Sequence, residues 1–322
     1  METLETSRIF QVLGCGACIA RGTRQGAAMA KMALEDEPAI GVIGGSGLYE
    51  LDGIEDVEEH PMRTPFGEPS DAIIGGRFSG RRVFFVPRHG RGHTILPHEL
   101  NHRANLWALK SLGVRWTIAV TAVGSLQEQY APRDIVFPDQ FFDRTSRRSE
   151  HTFFGEGIGA HVAFGEPVSE GLRGILLECA NELHEGGVHD GGTYVNMDGP
   201  AFSTRSESLF NQRQGFDVIG MTNLAEAKLA REAEMSLATL AMITDYDCWK
   251  VEEEPVTAEA VIGHLSANAA AAKKIVAAAI EKIPAEANWP EHSALDGALV
   301  TDQSLWPEKT KLKLEPILRR FL

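Results

Sequence analysis

The chain has 322 residues, 43% of them hydrophobic, enough for one large core. Its net charge of −14 excludes the basic surface that nucleic-acid binding needs, though not a local basic pocket for a small anion. No apolar run reaches transmembrane length, and four cysteines make no disulfide framework in a chain this long, so a reducing, cytoplasmic setting is expected.

Residues 1–37 are rich in small side chains and lack a period. Glu2 and Glu5 stand where a secretory or transit peptide would carry basic charge, so the segment reads as a disordered leader or extension. Cys15 and Cys18 form a single C-x-x-C with no second pair at zinc-finger spacing, which is weak evidence for metal. From Pro38 the pattern sharpens. Strands are expected at "AIGVIGG", "RRVFFVPRHG", "WTIAVTAVGS", "TYVNMDGPAFS", "FDVIGMT" and "SLATLAMITDYD". Their apolar runs are near-continuous, as in strands buried on both faces. Helices are expected between them: "PHELNHRANLWALKSLG" with Pro97 in its first turn and Gly113 at its end, and "SEGLRGILLECANELHEGG" with Ser169 as N-cap and Gly186 as stop. "NLAEAKLAREAE" and "VTAEAVIGHLSANAAAAKKIVAAAIEKI" complete the set. Alternating strand and helix give an α/β class with a largely buried sheet. One domain over 38–322 is expected, with its core over about 40–283 and a C-terminal tail over 284–322.

Chemistry-bearing residues collect where the strands end: Ser46, Arg88 and His89, Thr121, Ser203 and Thr204, Met221 and Thr222, Thr244 and Asp245. Ligands of α/β sheets bind at such ends. "GVIGGSGL" has Glu50 where a dinucleotide fingerprint needs glycine, and no G-K-[ST] follows; it suits either a small free anion or a tight turn. "RHGRGH" supplies a two-pronged Arg88 donor with His89 and His93 beside it, a set that fits phosphate better than metal. In "TDYDCW", Asp245 and Asp247 stand two apart after an apolar strand and can face one side. If partly buried, one of them would have a raised pKa and serve as a proton donor; the alternative is a capping or turn aspartate. Phe202 either stacks on a flat ligand or packs in the core.

Taken together, "GVIGGSGL", "TPFGEPSDA", "RHGRGHTILPHELNHRAN", "TAVGSL", "GPAFSTRSE", "IGMTNLAEAKLAREAE" and "TDYDCW" resemble the methylthioadenosine phosphorylase family, the trimeric branch of the purine nucleoside phosphorylase superfamily. The match runs in order from roughly Ile40 to Ile280. It implies the nucleoside phosphorylase fold, a twisted, mostly buried mixed β-sheet surrounded by helices. It also implies phosphorolysis, in which inorganic phosphate is the co-substrate and neither metal nor organic cofactor takes part, carried out by a homotrimer with sites at subunit interfaces. By resemblance, Ser46, Arg88, His89, Thr121, Ala122 and Thr222 hold phosphate. Met221 meets the ribose, and Phe202, Ser203, Asp245 and Asp247 meet the purine, with Asp245 as the acid. His93, Ala258 and Val261 shape phosphate access and the 5′-substituent pocket, and His161 is lent to the neighbouring subunit.

Three positions depart from the family pattern: Asp198 where Glu is usual, Ala201 where Arg is frequent, and Gly220 where animal members have Asn. Two other readings stand beside the phosphorylase. A 6-oxopurine nucleoside phosphorylase would want an amide in place of the Asp245 carboxylate. A non-catalytic nucleoside-binding module would bind without turnover.

Overall fold

The most apolar segments make the centre of the molecule, because only a strand covered on both faces can be apolar at successive positions. In the computed structural model, which describes residues 37–45, 52–250 and 258–322, β1 (Ala39–Gly44) is buried throughout. It lies parallel between β4 (Arg81–Pro87) and β5 (Val114–Ser125). The twelve-residue β5 is the hub. Along one edge it pairs in parallel with β11 (Ser236–Asp245), and on the other it pairs first with β1 and then, at Gly124 and Ser125, antiparallel with β10 (Val218–Gly220).

Outside this centre, β2 (Glu55–His60) and β3 (Ile73–Phe78) extend the sheet antiparallel from β4. β6 (Ile135–Phe137) joins β11 and carries β8 (Val188–Asp190), while β9 (Thr193–Met197) and β7 (Gln140–Arg144) continue from β10. The sheet is mixed, as expected. "TYVNMDGPAFS" and "FDVIGMT" are strand only in part, since the chain leaves β9 at Met197 and β10 at Gly220.

Helices cover both faces. On one, α2 (Glu170–Leu183) and α5 (Ala258–Lys282) bury Leu172, Leu176, Ile275 and Val276 against Ile40, Trp116 and Ile118. On the other, α1 (His102–Ser111) and α4 (Asn223–Glu232) bury Leu106, Leu109 and Leu229 against Ile43 and Leu237. The helix expected from Pro97 begins later. Pro97–Glu99 is a short 3-10 turn, Leu100 is extended, and the Asn101 side chain caps α1 by accepting from Ala104 N at 3.1 Å. Ser169 does sit at the N-cap of α2, but its hydroxyl donates to the buried Glu291 carboxylate at 3.1 Å instead of capping the helix. That helix stops at Leu183, ahead of Gly186.

The segment 284–322 does not trail. It puts Leu295, Trp306, Leu314 and Leu318 into the same cluster as Ile43 and Leu106. Each side chain of that size gives about 1.5–3 kcal/mol when removed from water. Trp107 Nε1 donates to Lys313 O at 3.0 Å, tying α1 to the short α6 (Glu308–Lys313). Residues 1–36, with Cys15 and Cys18, lie outside the described residues.

Candidate active site

Arg88 follows β4 directly and turns inward, 2% exposed. Its guanidinium is a donor set already largely committed. Nε and Nη2 meet the two oxygens of Glu226 at 2.6 and 2.9 Å, and Nη1 donates to Val120 O at 2.8 Å. Glu226 belongs to the first turn of α4, where the positive helix end favours a carboxylate. That turn also carries Thr222, the N-cap residue. Thr222 is 4% exposed, and its Oγ1 has no hydrogen-bond partner among the described residues. Because β10 runs antiparallel to the end of β5, with Ile219 opposite Gly124, the chain beyond it leads Met221 and Thr222 back along β5 toward Ala122 and Thr121. Arg88, Thr121, Ala122 and Thr222 are thus brought to one place by β4, β5 and the start of α4.

His89 is half-buried, and Nδ1 lies 2.8 Å from Ile95 O. A carbonyl only accepts, so Nδ1 carries the hydrogen and Nε2 is the acceptor of a neutral ring. Burial, reinforced by the Arg88 charge, pushes this imidazole down to about 4. Its open nitrogen is therefore an acceptor, suited to the O–H of a protonated phosphate. The His93 ring stacks on it at 4.4 Å and 17°. Two stacked imidazoles hold their nitrogens in nearly parallel planes and do not aim them at one ion.

The two aspartates come together through a turn, not through strand alternation. A register shift between Ile243 and Asp245 re-aims the end of β11 and sets Asp245 opposite Gly124. Asp245 Oδ2 accepts from Thr244 Oγ1 at 2.7 Å, and Oδ1 accepts from Asp247 N at 2.7 Å. Asp247 has a left-handed backbone, φ 48°, and is buried; that burial pushes its carboxyl above the ordinary range. A Cβ on Gly124 would lie 3.0 Å from Asp245 Oδ1 and 3.4 Å from Asp247 Cβ, so glycine lets both residues rest against β5.

Phe202 is 44% exposed in the loop before α3 (Arg205–Arg213), so it is not a core residue. Ser203 O accepts from the Cys248 thiol at 3.2 Å, which links this loop to the turn holding Asp247. Thr204, by contrast, is taken up as the cap of α3. Beside Met221 opens a cleft lined by His98, His102, Arg147, His151 and Asp198. Burial pushes His102 down to about 3, leaving it neutral. The family model of the phosphorylase superfamily matches residues 39–281.

The chain belongs to the phosphorylase superfamily.

Within the superfamily, the chain is 51% identical over 286 residues to the S-methyl-5'-thioadenosine phosphorylase of Gloeobacter violaceus, covering 88% of this chain and 95% of that one. It is 52% identical over 282 residues to the enzyme of the same name from Chloroflexus aurantiacus, covering 88% and 98%. Among solved structures, a methylthioadenosine phosphorylase from an antarctic soil metagenomic library superposes with TM-score 0.83 at 43% identity, covering 88% of this chain and 99% of that one. The methylthioadenosine phosphorylase of Schistosoma mansoni in complex with adenine gives 0.76 at 35% identity, with 83% and 100% covered.

Against this phosphorylase frame, Ser46 lies outside the described residues, as do the side chains of Ala258 and Val261, although both of the latter fall in the first turn of α5. His161 is exposed. Its backbone is held by the C-terminal segment, with His161 N donating to Ala298 O at 2.9 Å and Ala160 bridged to Leu299. Two departures acquire a physical reason. Asp198 Oδ2 accepts from Ser146 N and Oγ at 3.0 and 2.7 Å, anchoring the loop after β7. Gly220 leaves room for the Tyr194 ring, whose hydroxyl a Cβ there would overlap. Ala201 is exposed in its loop, and nothing in the structure explains it. Sequence reasoning missed Glu226 and His102. The signal for Glu226 was a lone acid among Leu224, Ala225, Ala227 and Leu229, an apolar stretch where a carboxylate needs a buried partner.

Proposed function

We propose that this chain catalyses phosphorolysis of 5′-methylthioadenosine, giving adenine and 5-methylthioribose 1-phosphate. The observation that carries the reading is the buried Thr222 Oγ1, without a hydrogen-bond partner among the described residues, at a helix N-terminus whose first turn also fixes Arg88. A hydroxyl of that kind costs stability unless something accepts its hydrogen, and an anion at a helix start is a natural acceptor.

Phosphate held by Arg88, Thr121, Ala122 and Thr222, with Ser46 from the glycine loop, lies beneath the ribose. As the C1′–N9 bond breaks, its electron pair leaves with the purine and the ribose becomes cationic. The phosphate stabilises that cation and then forms the new C1′–O bond from a fixed position. Asp245 donates a proton to N7 of the departing adenine, and Asp247 accepts from the exocyclic amine. Phe202, half in solvent, stacks on the base, with Ser203 beside it; Met221 bounds the ribose. His93, Ala258 and Val261 form the pocket for the 5′-methylthio group. The reaction uses no metal or organic cofactor in this reading.

The exposed His161 serves a neighbouring subunit, in a homotrimer that acts in the cytoplasm; the scarcity of cysteine supports the compartment. Asp245, as a carboxylate-bearing residue, favours a 6-aminopurine over the 6-oxopurine reading. The assay is base release from methylthioadenosine, adenosine and inosine, each with and without phosphate. Phosphate-dependent release of adenine is expected. Release that is equally fast without phosphate would make the protein a hydrolase, faster release from inosine would favour the oxopurine reading, and binding without release would make it a carrier.

A further inference from the structure

The Arg88 and Glu226 side chains are 3% and 1% exposed and meet fork to fork. Beyond the bonds to Glu226 and Val120, Nη2 reaches Ile43 O at 3.4 Å. A guanidinium has five N–H groups, and among the described residues one, on Nη1, is left. Glu226 is itself braced: Asn223 Nδ2 donates to Oε2 at 3.3 Å, and Thr239 Oγ1 donates to Asn223 Oδ1 at 2.6 Å. All four side chains are buried. The central strand β11 therefore fixes Asn223, Asn223 fixes Glu226, and Glu226 fixes Arg88. Such a buried ion pair gains little stability over apolar residues of the same volume. A site for phosphate, however, needs a donor whose direction is set before the anion arrives.

We infer that Glu226 is a positioning residue for phosphate, an assignment that rests on the phosphorolysis reading above. It locks the guanidinium so that the Nη1 N–H left open among the described residues is presented to the anion. It also cancels most of the Arg88 charge, so that phosphate is held by directed hydrogen bonds and not by a bare cation. Without it, Arg88 would turn its donors to neighbouring carbonyls or water.

The test is steady-state kinetics of the full chain and of Glu226→Gln and Glu226→Asp, varying phosphate and methylthioadenosine separately, with a melting curve for each protein. Glutamine keeps the volume but places an amide N–H against Nη2; aspartate keeps the charge and shortens the reach. The phosphate KM is expected to rise about 10- to 100-fold in the glutamine variant, the worth of a hydrogen bond between charged groups, and less in the aspartate variant. The nucleoside KM is expected to stay within about threefold. An unchanged phosphate KM in a folded variant overturns the inference, and so does a parallel rise in the nucleoside KM. Should the glutamine variant not fold, the aspartate variant decides alone. A wild-type chain whose turnover does not depend on phosphate would instead overturn the proposed function, and that result appears before any substitution is made.

Discussion

The backbone N–H of Asp247 donates to Asp245 Oδ1 at 2.7 Å, so the Asp245 carboxyl is held by the turn that carries Asp247. Asp245→Asn keeps the shape and still offers an N–H to N7, but it cannot transfer a proton. Methylthioadenosine turnover is expected to fall about 10²–10⁴-fold, the usual worth of a placed general acid, while relative use of inosine rises. Asp247→Asn tolerates the left-handed backbone and is expected to act mainly on the nucleoside KM. Wild-type turnover in the Asp245 variant, with the loss appearing in the Asp247 variant, would transfer the acid role to Asp247.

Thr222→Val separates stability from function. It removes a buried hydroxyl that has no partner among the described residues, at nearly constant volume. The phosphate KM is expected to rise about tenfold or more, while the melting temperature stays level or rises by a few degrees. A lower melting temperature with unchanged phosphate KM would show that the hydroxyl is structural.

Much of the architecture could be read directly from the residues, for a physical reason. β1, β5 and β11 are apolar on both faces, and few other structures fit such runs. β2 could not be read: its residues, "EDVEEH", lie mostly exposed at the sheet edge, so burial left no mark on them. β6 and β8, at three residues each, are too short for a period. In the site, Arg88 and Thr222 are legible because each follows an apolar run, whereas Thr121 lies within β5 and not at the strand end where the sequence suggests it. What His89 offers is not legible, because the Ile95 carbonyl that fixes its hydrogen is set by loop geometry. Likewise, Asp245 and Asp247 are linked by a turn and not by the strand alternation that the sequence suggests.

Gly220 and Tyr194 form a testable pair. Gly220→Ala drives a methyl group into the Tyr194 hydroxyl and should cost about 1–3 kcal/mol, as overpacking does. Adding Tyr194→Phe removes the nearest obstructing atom but leaves the ring Cζ 2.5 Å from the new methyl group, so it should recover only part of the loss. Urea denaturation of the two single variants and the double variant checks this; additive losses would mean that the two positions do not meet.

Glu232 introduces a pH dependence. Burial raises its carboxyl from 4.5 to about 7, although two hydrogen-bond donors, Phe153 N at 2.7 Å and Thr152 Oγ1 at 2.7 Å, oppose the rise. The folded chain therefore holds a proton that the unfolded chain has released. The contribution is fully present below pH 4.5 and is lost as the pH rises through about 7. Glu232→Gln should remove this dependence and make the protein more stable than wild type at pH 8, by on the order of 2 kcal/mol. Melting curves from pH 5 to 8 that stay parallel for the two proteins would refute it.

His161 provides the subunit test. Chains carrying His161→Ala and chains carrying Asp245→Asn, each impaired alone, should regain activity when unfolded together and refolded, because a hybrid assembly contains sites with both residues intact. A monomer by light scattering with full activity would contradict it.

The backbone around His161 is aligned by Ala298 and Leu299, and the same segment runs on to bury Leu314 and Leu318 beneath α1. That stretch is thus a wedge that closes part of one face of the sheet. Without it, Ile43 and Leu106 would lack part of their cover, and the edge at residues 159–161 would have no backbone to lie against.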